Sequence, residues 1–134
     1  MSLPLVFLDR SGASPQLEQL LARIHETDKR PPWLLCRSCG QRITDNEARI
    51  PIGDRHEHTV TNPHGFTFHI GCFDSAPGVV EEGEPSSYFS WFAGYHWRIV
   101  ICQGCRWHLG WRFDDADSHF YGLILDRLKL EQPS

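Results

Sequence analysis

The sequence predicts a mainly all-β domain stapled by one structural zinc ion, with a short helix ahead of it. Three observations carry this expectation. From Trp33 onward, short runs rich in β-branched and aromatic residues alternate with turn residues. Four of the five cysteines form two Cys-x-x-Cys pairs, Cys36/Cys39 and Cys102/Cys105. An apolar stripe of helical spacing lies near the start of the chain.

Residues 1–13 read as an irregular arm or a short edge strand. Ser14 can cap a helix and Pro15 suits its first position. Leu17, Leu20, Leu21 and Ile24 then fall at i, i+3, i+4 and i+7, and Lys29-Arg30-Pro31-Pro32 ends the segment, so a helix over 14–27 is expected. Leu34-Leu35-Cys36-Arg37-Ser38-Cys39-Gly40 is an apolar approach, a knuckle and a turn. Strand-like runs follow at 48–52, 59–60 and 66–70. The polar stretch with Pro77-Gly78 and residues 81–87 reads as loop. Residues 97–101 form the clearest strand and run straight into the second knuckle. Two more strands are expected at 108–113 and 120–125, with a turn at 114–118. This divides the chain into an arm and helix (1–32), a β domain (33–127) and a tail (128–134).

A length of 134 residues fits one domain. Hydrophobic residues make up 40% and charged residues 22%, a globular composition. The net charge is -4 and the basic residues are scattered, which argues against a nucleic-acid partner. No apolar run approaches the roughly 20 residues of a membrane helix, so no membrane association is expected. Residues 1–9 lack a basic n-region and a small-residue cleavage site, so no signal peptide is expected. Paired cysteines with one left over suit a metal site in a reducing compartment better than a disulfide framework. A cytoplasmic monomer is the expectation.

Thiolate sulfur suits Zn²⁺, and a structural site takes four ligands in a tetrahedron. Two residues between paired cysteines let a tight turn aim both sulfurs at one ion. Between Cys39 and Cys102 lie 62 residues, far more than the roughly 15–20 of compact zinc ribbons. The ion is therefore expected to pin two ends of a sheet domain. With four protein ligands no position remains open for substrate, so its role is structural. Cys72, in the apolar run Ile70-Gly71-Cys72-Phe73, is expected in the core.

Four of the five tryptophans, Trp91, Trp97, Trp107 and Trp111, fall within 21 residues, with Phe89, Phe92, Tyr95 and Phe113 among them. Trp111 and Phe113 share a face on a strand, and Trp107 joins them only if the strand is continuous through Gly110. Trp91 and Trp97 flank a glycine-containing turn that could fold them toward each other. Such faces can form a box for a flat or cationic ligand, and they equally suit the core of a small β domain.

Taken together, Cys36-Arg37-Ser38-Cys39-Gly40, Asn62-Pro63-His64-Gly65, Ser90 through Trp97, Cys102-Gln103-Gly104-Cys105, His108-Leu109-Gly110-Trp111-Arg112-Phe113 and Phe120-Tyr121-Gly122-Leu123 resemble the thalidomide-binding domain of cereblon, the CULT domain family. The resemblance runs from about Trp33 to Leu125. It implies a β-tent of two antiparallel sheets meeting at an angle. It implies a cage of three tryptophans, Trp91, Trp97 and Trp111, with Phe113 closing the floor and Asn62 beside the ligand. Phe89 stands where a backbone contact holds the ligand; human-like members have histidine there. His108 matches a family histidine of expected structural role. The implied ligand is a cyclic imide (glutarimide, succinimide), a uracil-like ring, or an imide-bearing protein C-terminus. An imide edge offers C=O, N–H and C=O, so backbone groups near Phe89 and Trp91 and an indole N–H are expected to pair with it. About 32 residues precede the domain, too few for cereblon's N-terminal domain and adaptor-docking helices, so the chain resembles single-domain members and no ubiquitin-ligase receptor activity is expected.

An enzyme is the competing reading. B-type methionine sulfoxide reductases share two Cys-x-x-Cys knuckles on this fold but need a cysteine after the second, and none follows Cys105. Hydrolysis of a cyclic imide would need an activated water, for which His56, His58, His64 and His69 are candidates without an HExxH motif. A protein-interaction domain with an incidental pocket is the third reading. Binding without chemistry is expected.

Overall fold

The computed structural model describes residues 32–132. The expected arm (1–13) and helix (14–27) lie outside the described residues. Nine strands are described: β1 (Trp33–Cys36), β2 (Arg42–Asp45), β3 (Glu57–Thr61), β4 (Thr67–Phe73), β5 (Val79–Ser86), β6 (His96–Cys102), β7 (His108–Asp114), β8 (His119–Ile124) and β9 (Leu128–Leu130). They form a three-stranded sheet in the order β2-β1-β9 and a six-stranded sheet in the order β3-β4-β8-β7-β6-β5. Every strand pair is antiparallel. The fold is thus mainly β in two antiparallel sheets. Among the described residues no helix is long and apolar enough to cross a membrane.

Alternation along the strands gives the large sheet two apolar faces. From one face Phe73, Val79, Val100, Cys102, Tyr121 and Leu123 pack against Cys36, Ile43, Ala48 and Leu128, most of them from the small sheet. From the other face Ile70, Cys72, Trp111, Phe113, Phe120 and Ile124 pack beneath Trp91, Phe92 and Tyr95, carried by the β5–β6 connection. Phe73, Phe113 and Phe120 are almost wholly buried, and each contributes roughly 1.5–3 kcal/mol relative to exposure. Cys72 is fully buried in the second core, where desolvation pushes its thiol up to about 12; it is a core residue, as the sequence suggested.

Three expectations are corrected. Residues 48–52 are not a strand: Asp45 caps a one-turn 3-10 segment, Asn46–Ala48, by accepting from the Ala48 N–H at 3.2 Å. Local capping wins over the apolar pattern there, and Pro51 lacks a ladder donor. Residues 81–87 are not simply loop. Most belong to β5, whose polar side chains face solvent because the strand lies on the sheet edge and pairs only with β6. The glycine and proline that read as loop mark a register break between Glu82 and Ser86. Finally, Leu128–Leu130, assigned to the tail, pair with β1 as β9 and belong to the domain.

One backbone irregularity decides which core each β7 residue enters. Between the pairs Ile101–His108 and Val100–Gly110, Leu109 is an extra residue. Leu109 therefore packs in the first core while Trp111, two residues on, packs in the second. Gly110 permits this, because a Cβ there would lie 2.1 Å from the Gly122 carbonyl oxygen on β8. Gly110→Ala must push β7 and β8 apart. The expected loss is about 2–3 kcal/mol, read as a lowered urea midpoint with unchanged slope.

Candidate functional site

The two knuckles are built alike. In the first, the Gly40 N–H donates to the Cys36 carbonyl at 2.8 Å and the Cys36 N–H to the Gln41 carbonyl at 2.8 Å. In the second, the Arg106 N–H donates to the Cys102 carbonyl at 2.9 Å and the Cys102 N–H to the Trp107 carbonyl at 2.8 Å. Both turns need a left-handed residue just after the second cysteine. Gly40 supplies it at φ 83°, and Arg106 adopts it at φ 70°. The turns aim Cys36, Cys39, Cys102 and Cys105 at one point, all four sulfurs lying within 4.8 Å of one another. Across the knuckles the sulfurs of Cys36 and Cys105 are 3.7 Å apart, and those of Cys39 and Cys102 are 3.5 Å apart. A tetrahedron with metal–sulfur bonds of about 2.3 Å has sulfur–sulfur edges of about 3.8 Å. The donor set therefore fits one metal ion. The Gly104 N–H donates to the Cys102 sulfur at 3.3 Å, which favours thiolate.

Arg37 ties the first knuckle to the small sheet, donating from Nε to the Asp126 carbonyl and from a terminal nitrogen to the Leu128 carbonyl, both at 2.9 Å. Trp107 stands beside the second knuckle with the Arg127 guanidinium 5.1 Å from its ring, away from the other tryptophans. The condition on a continuous strand fails at the extra residue Leu109.

On the opposite face of the large sheet lies a cavity of about 270 Å³, lined by Asn62, Pro63, His64, Tyr88, Phe89, Trp91, Trp97 and Trp111. The three tryptophans come from different places. Trp97 is on β6, Trp111 on β7, and Trp91 on the connection before β6. Trp91 stands edge-on to Trp111, with ring centroids 4.7 Å apart and planes at 88°. Trp111 is nearly buried and is also met edge-on by Phe68 at 5.2 Å and by His108 at 4.8 Å.

Two of the indoles are fixed through their N–H groups. Trp91 Nε1 donates to the Thr61 carbonyl at 2.9 Å, and Trp97 Nε1 donates to the Tyr88 carbonyl at 2.8 Å. Each such bond contributes about 0.5–1.5 kcal/mol and sets a ring plane. The expectation of an indole N–H facing the ligand does not extend to these two. Among the described residues, no partner bonds the Phe89 carbonyl or the Trp91 backbone N–H. Phe89 itself sits at φ 52°, a left-handed backbone that costs a non-glycine residue about 1–2 kcal/mol.

The remaining residues fall into place around this cavity. Asn62 lines it, but its Oδ1 accepts the N–H groups of His64 and Phe66, both at 3.0 Å, and so holds the Asn62-Pro63-His64-Gly65 turn. Phe113 lies one layer deeper than expected. It is fully buried, stacked on Phe120 at 5.0 Å, and supports the pocket from within the core. His108 donates from Nε2 to the Gly110 carbonyl at 2.9 Å and buttresses Trp111, a structural role; burial holds its pKa below the usual imidazole value. Of the four candidate histidines only His64 lines the cavity. His69 pairs with Glu57 at 2.6 Å on β4 and β3, while His56 and His58 bond the carbonyls of Ile50 and Arg55. No carboxylate is among the lining residues. The site reading from residues alone did not include Pro63 and Tyr88. Their positions next to Asn62 and Phe89 were the available signal.

The two knuckles, the three indole planes and the Asn62–Gly65 turn can be compared with known proteins. No family model matches the chain. Protein cereblon of Drosophila melanogaster is 58% identical over 124 residues, covering 85% of this chain and 21% of the relative. Protein cereblon of Drosophila simulans is 58% identical over 98 residues, covering 69% and 16% respectively. Protein cereblon of Drosophila yakuba is 39% identical over 122 residues, covering 85% and 21%. This chain is a cereblon-like protein. It spans about a fifth of the length of these relatives. The resemblance to cereblon is thereby supported over most of the chain.

Elemental analysis of the purified cereblon-like chain is expected to find one bound metal ion per chain, and Cys36→Ser to lose it. Binding must weaken as pH falls, because each thiol has to release its proton. Burial holds Cys36 up to about 12, so it releases a proton on binding throughout the neutral range. The Trp107 N–H draws Cys105 down to about 7, so that thiol adds to the pH dependence only below about 7. Competition with a chromogenic chelator between pH 5.5 and 8 measures the slope.

Proposed function

We propose that this chain is a binding module that holds a cyclic imide, such as a glutarimide or succinimide, or a uracil-like ring, between Trp91, Trp97 and Trp111. The observation that carries this reading is the combination of three indoles with two unbonded backbone groups at one cavity. The Phe89 carbonyl can accept the imide N–H, and the Trp91 N–H can donate to an imide oxygen. Buried polar groups of both partners are then paired. The cavity, about 270 Å³, lies at the small end of ligand sites and suits one compact ring. Ring methylenes would stack on the indole faces, each contact adding about 0.5–1.5 kcal/mol beyond area burial.

The metal is Zn²⁺ in this reading, because four thiolates in a closed tetrahedral set select it over harder divalent ions. Its role is structural. A free small ring or an imide at a protein C-terminus supplies the ligand, and a reducing compartment, the cytoplasm, keeps the thiols available. Binding without turnover is favoured over hydrolysis. The lining offers His64 as its one imidazole and no carboxylate to orient it, whereas a general base needs a partner and a positioned water.

Added glutarimide is expected to quench indole fluorescence saturably. Trp97→Ala and Trp111→Ala should each weaken binding by about 2 kcal/mol or more, roughly thirtyfold, as buried aromatic anchors do, with metal content retained as a check on folding. Chromatography of the incubated ligand should find no ring-opened acid. An unquenched signal at millimolar ligand, or wild-type affinity in both variants, would remove the pocket from this role.

A further inference from the structure

The edges of the two sheets are treated differently. On the small sheet, the outer edge of β2 is covered by the turn at 75–78: the Gly78 N–H donates to the Ile43 carbonyl at 3.0 Å, and Thr44 Oγ1 to the Ser75 carbonyl at 2.6 Å. Strand β9 is only three residues long. On the large sheet, the edge strand β5 carries Glu81, Glu82 and Glu84, a left-handed Gly83, Pro85 and a break in register. Charge, proline and bulge are the devices by which edges refuse further strands. The opposite edge strand, β3, has the sequence Glu57-His58-Thr59-Val60-Thr61. Its one acidic residue, Glu57, is engaged by His69 of β4 at 2.6 Å; it has no proline, glycine or lysine, and its register with β4 is unbroken.

The orientation of its backbone groups follows from two hydrogen bonds that flank it. The Asn62 N–H donates to the Phe66 carbonyl and the Cys72 N–H to the His56 carbonyl, so 62/66 and 56/72 are hydrogen-bonded pairs. The register between them is unbroken, so His58 and Val60 also turn their backbone groups to β4. Glu57, Thr59 and Thr61 turn theirs outward, and all three residues are exposed. The Thr61 carbonyl, held by Trp91 Nε1, confirms the outward sense. Among the described residues, nothing bonds the N–H and C=O of Thr59 or the N–H of Thr61. This edge runs straight into the Asn62–Gly65 turn at the mouth of the cavity, beside the exposed rings of Phe66, Tyr88 and Phe89.

We infer that β3 is a strand-addition site for an extended segment of a partner polypeptide, whose C-terminal end enters the tryptophan pocket. Such a segment runs parallel to β3, since both head toward the pocket, and its main chain bonds the outward N–H and C=O of Thr59 and the N–H of Thr61. The inference rests on the pocket reading only in placing the end of the segment. It gives the polypeptide that carries a terminal imide its own contacts, independent of side-chain sequence.

Thr59→Pro tests this cleanly. Proline at an edge position whose N–H faces solvent leaves the ladder to β4 intact and deletes one outward donor. Three probes are compared: glutarimide alone, a seven-residue Thr/Val peptide ending in aminoglutarimide, and the same peptide ending in an amide. The imide peptide is expected to bind at least tenfold more tightly than glutarimide and to slow amide exchange at Thr59 and Thr61. Thr59→Pro should abolish that advantage and leave glutarimide affinity unchanged. An advantage that survives Thr59→Pro, or unchanged exchange at both amides with bound peptide, overturns the inference. Self-association of the chain that slows these amides and is lost in Thr59→Pro also overturns it, by making a second copy the occupant. If glutarimide alone fails to bind, the pocket reading fails. The edge is then judged by exchange with the amide peptide at millimolar concentration, where unchanged rates overturn it and slowed rates support it.

Discussion

Four sulfurs converging from two knuckles are the constraint on which the rest of this fold depends. One knuckle closes β1 and the other closes β6, so the metal centre joins the small sheet to the large one. Without a cation only weak contacts between sulfurs, at 3.7 and 3.5 Å, join the two knuckles. Structural zinc in small peptides contributes about 10–16 kcal/mol of apparent binding energy, comparable to the whole stability of a typical domain, about 5–15 kcal/mol. The apolar interface between the sheets is modest, a dozen buried side chains. A metal ion held there would fasten the same two layers as that interface, and among the described residues no salt bridge joins the two sheets.

The pocket inherits its rigidity from this clamp through one strand pair. β6 begins beside Trp97 at the cavity and ends at Cys102 in the metal centre. β7 returns from the second knuckle through the extra residue Leu109 to Trp111. A single strand thus serves two cores and two sites, which is possible only because Gly110 lets β7 approach β8 closely. The third indole, Trp91, is not on the sheet. It is held by an edge-on contact with Trp111 and by its bond to the Thr61 carbonyl. The pocket wall is therefore part scaffold and part loop, with the strained Phe89 backbone at the junction. Strain of this kind persists where neighbouring contacts over-determine it, and the Trp97 bond to the Tyr88 carbonyl is such a contact.

Much of this was legible in the chain. Cysteine spacing pointed to the four-sulfur cluster because a Cys-x-x-Cys turn is a local device whose geometry is nearly independent of its surroundings. β6 and β8 were legible from their β-branched and aromatic runs, and Cys72 from its apolar neighbours. Trp91, Trp97 and Trp111 were legible as a set through the family resemblance, whereas their residue pattern alone suited a pocket and a plain core equally. What failed were segments where environment overrides composition. β5 looks like a loop because its charged side chains sit on an exposed edge, and residues 48–52 look like a strand because the Asp45 cap acts from outside the run.

Sequence by itself determined the four-cysteine cluster and the β class, because each rests on local spacing or on residue type; the three indoles were picked out through the resemblance. Only the tertiary structure decided that Phe113 supports the pocket from behind, that Trp107 belongs to the knuckle, and that β3 is an edge with outward backbone groups left unpaired among the described residues. Those three are consequences of register. Leu109 moves every later β7 side chain to the other core, and the pairing of β3 with β4 decides which backbone groups face water. Register is a relation between strands distant in the chain, and no spacing within one of them encodes it.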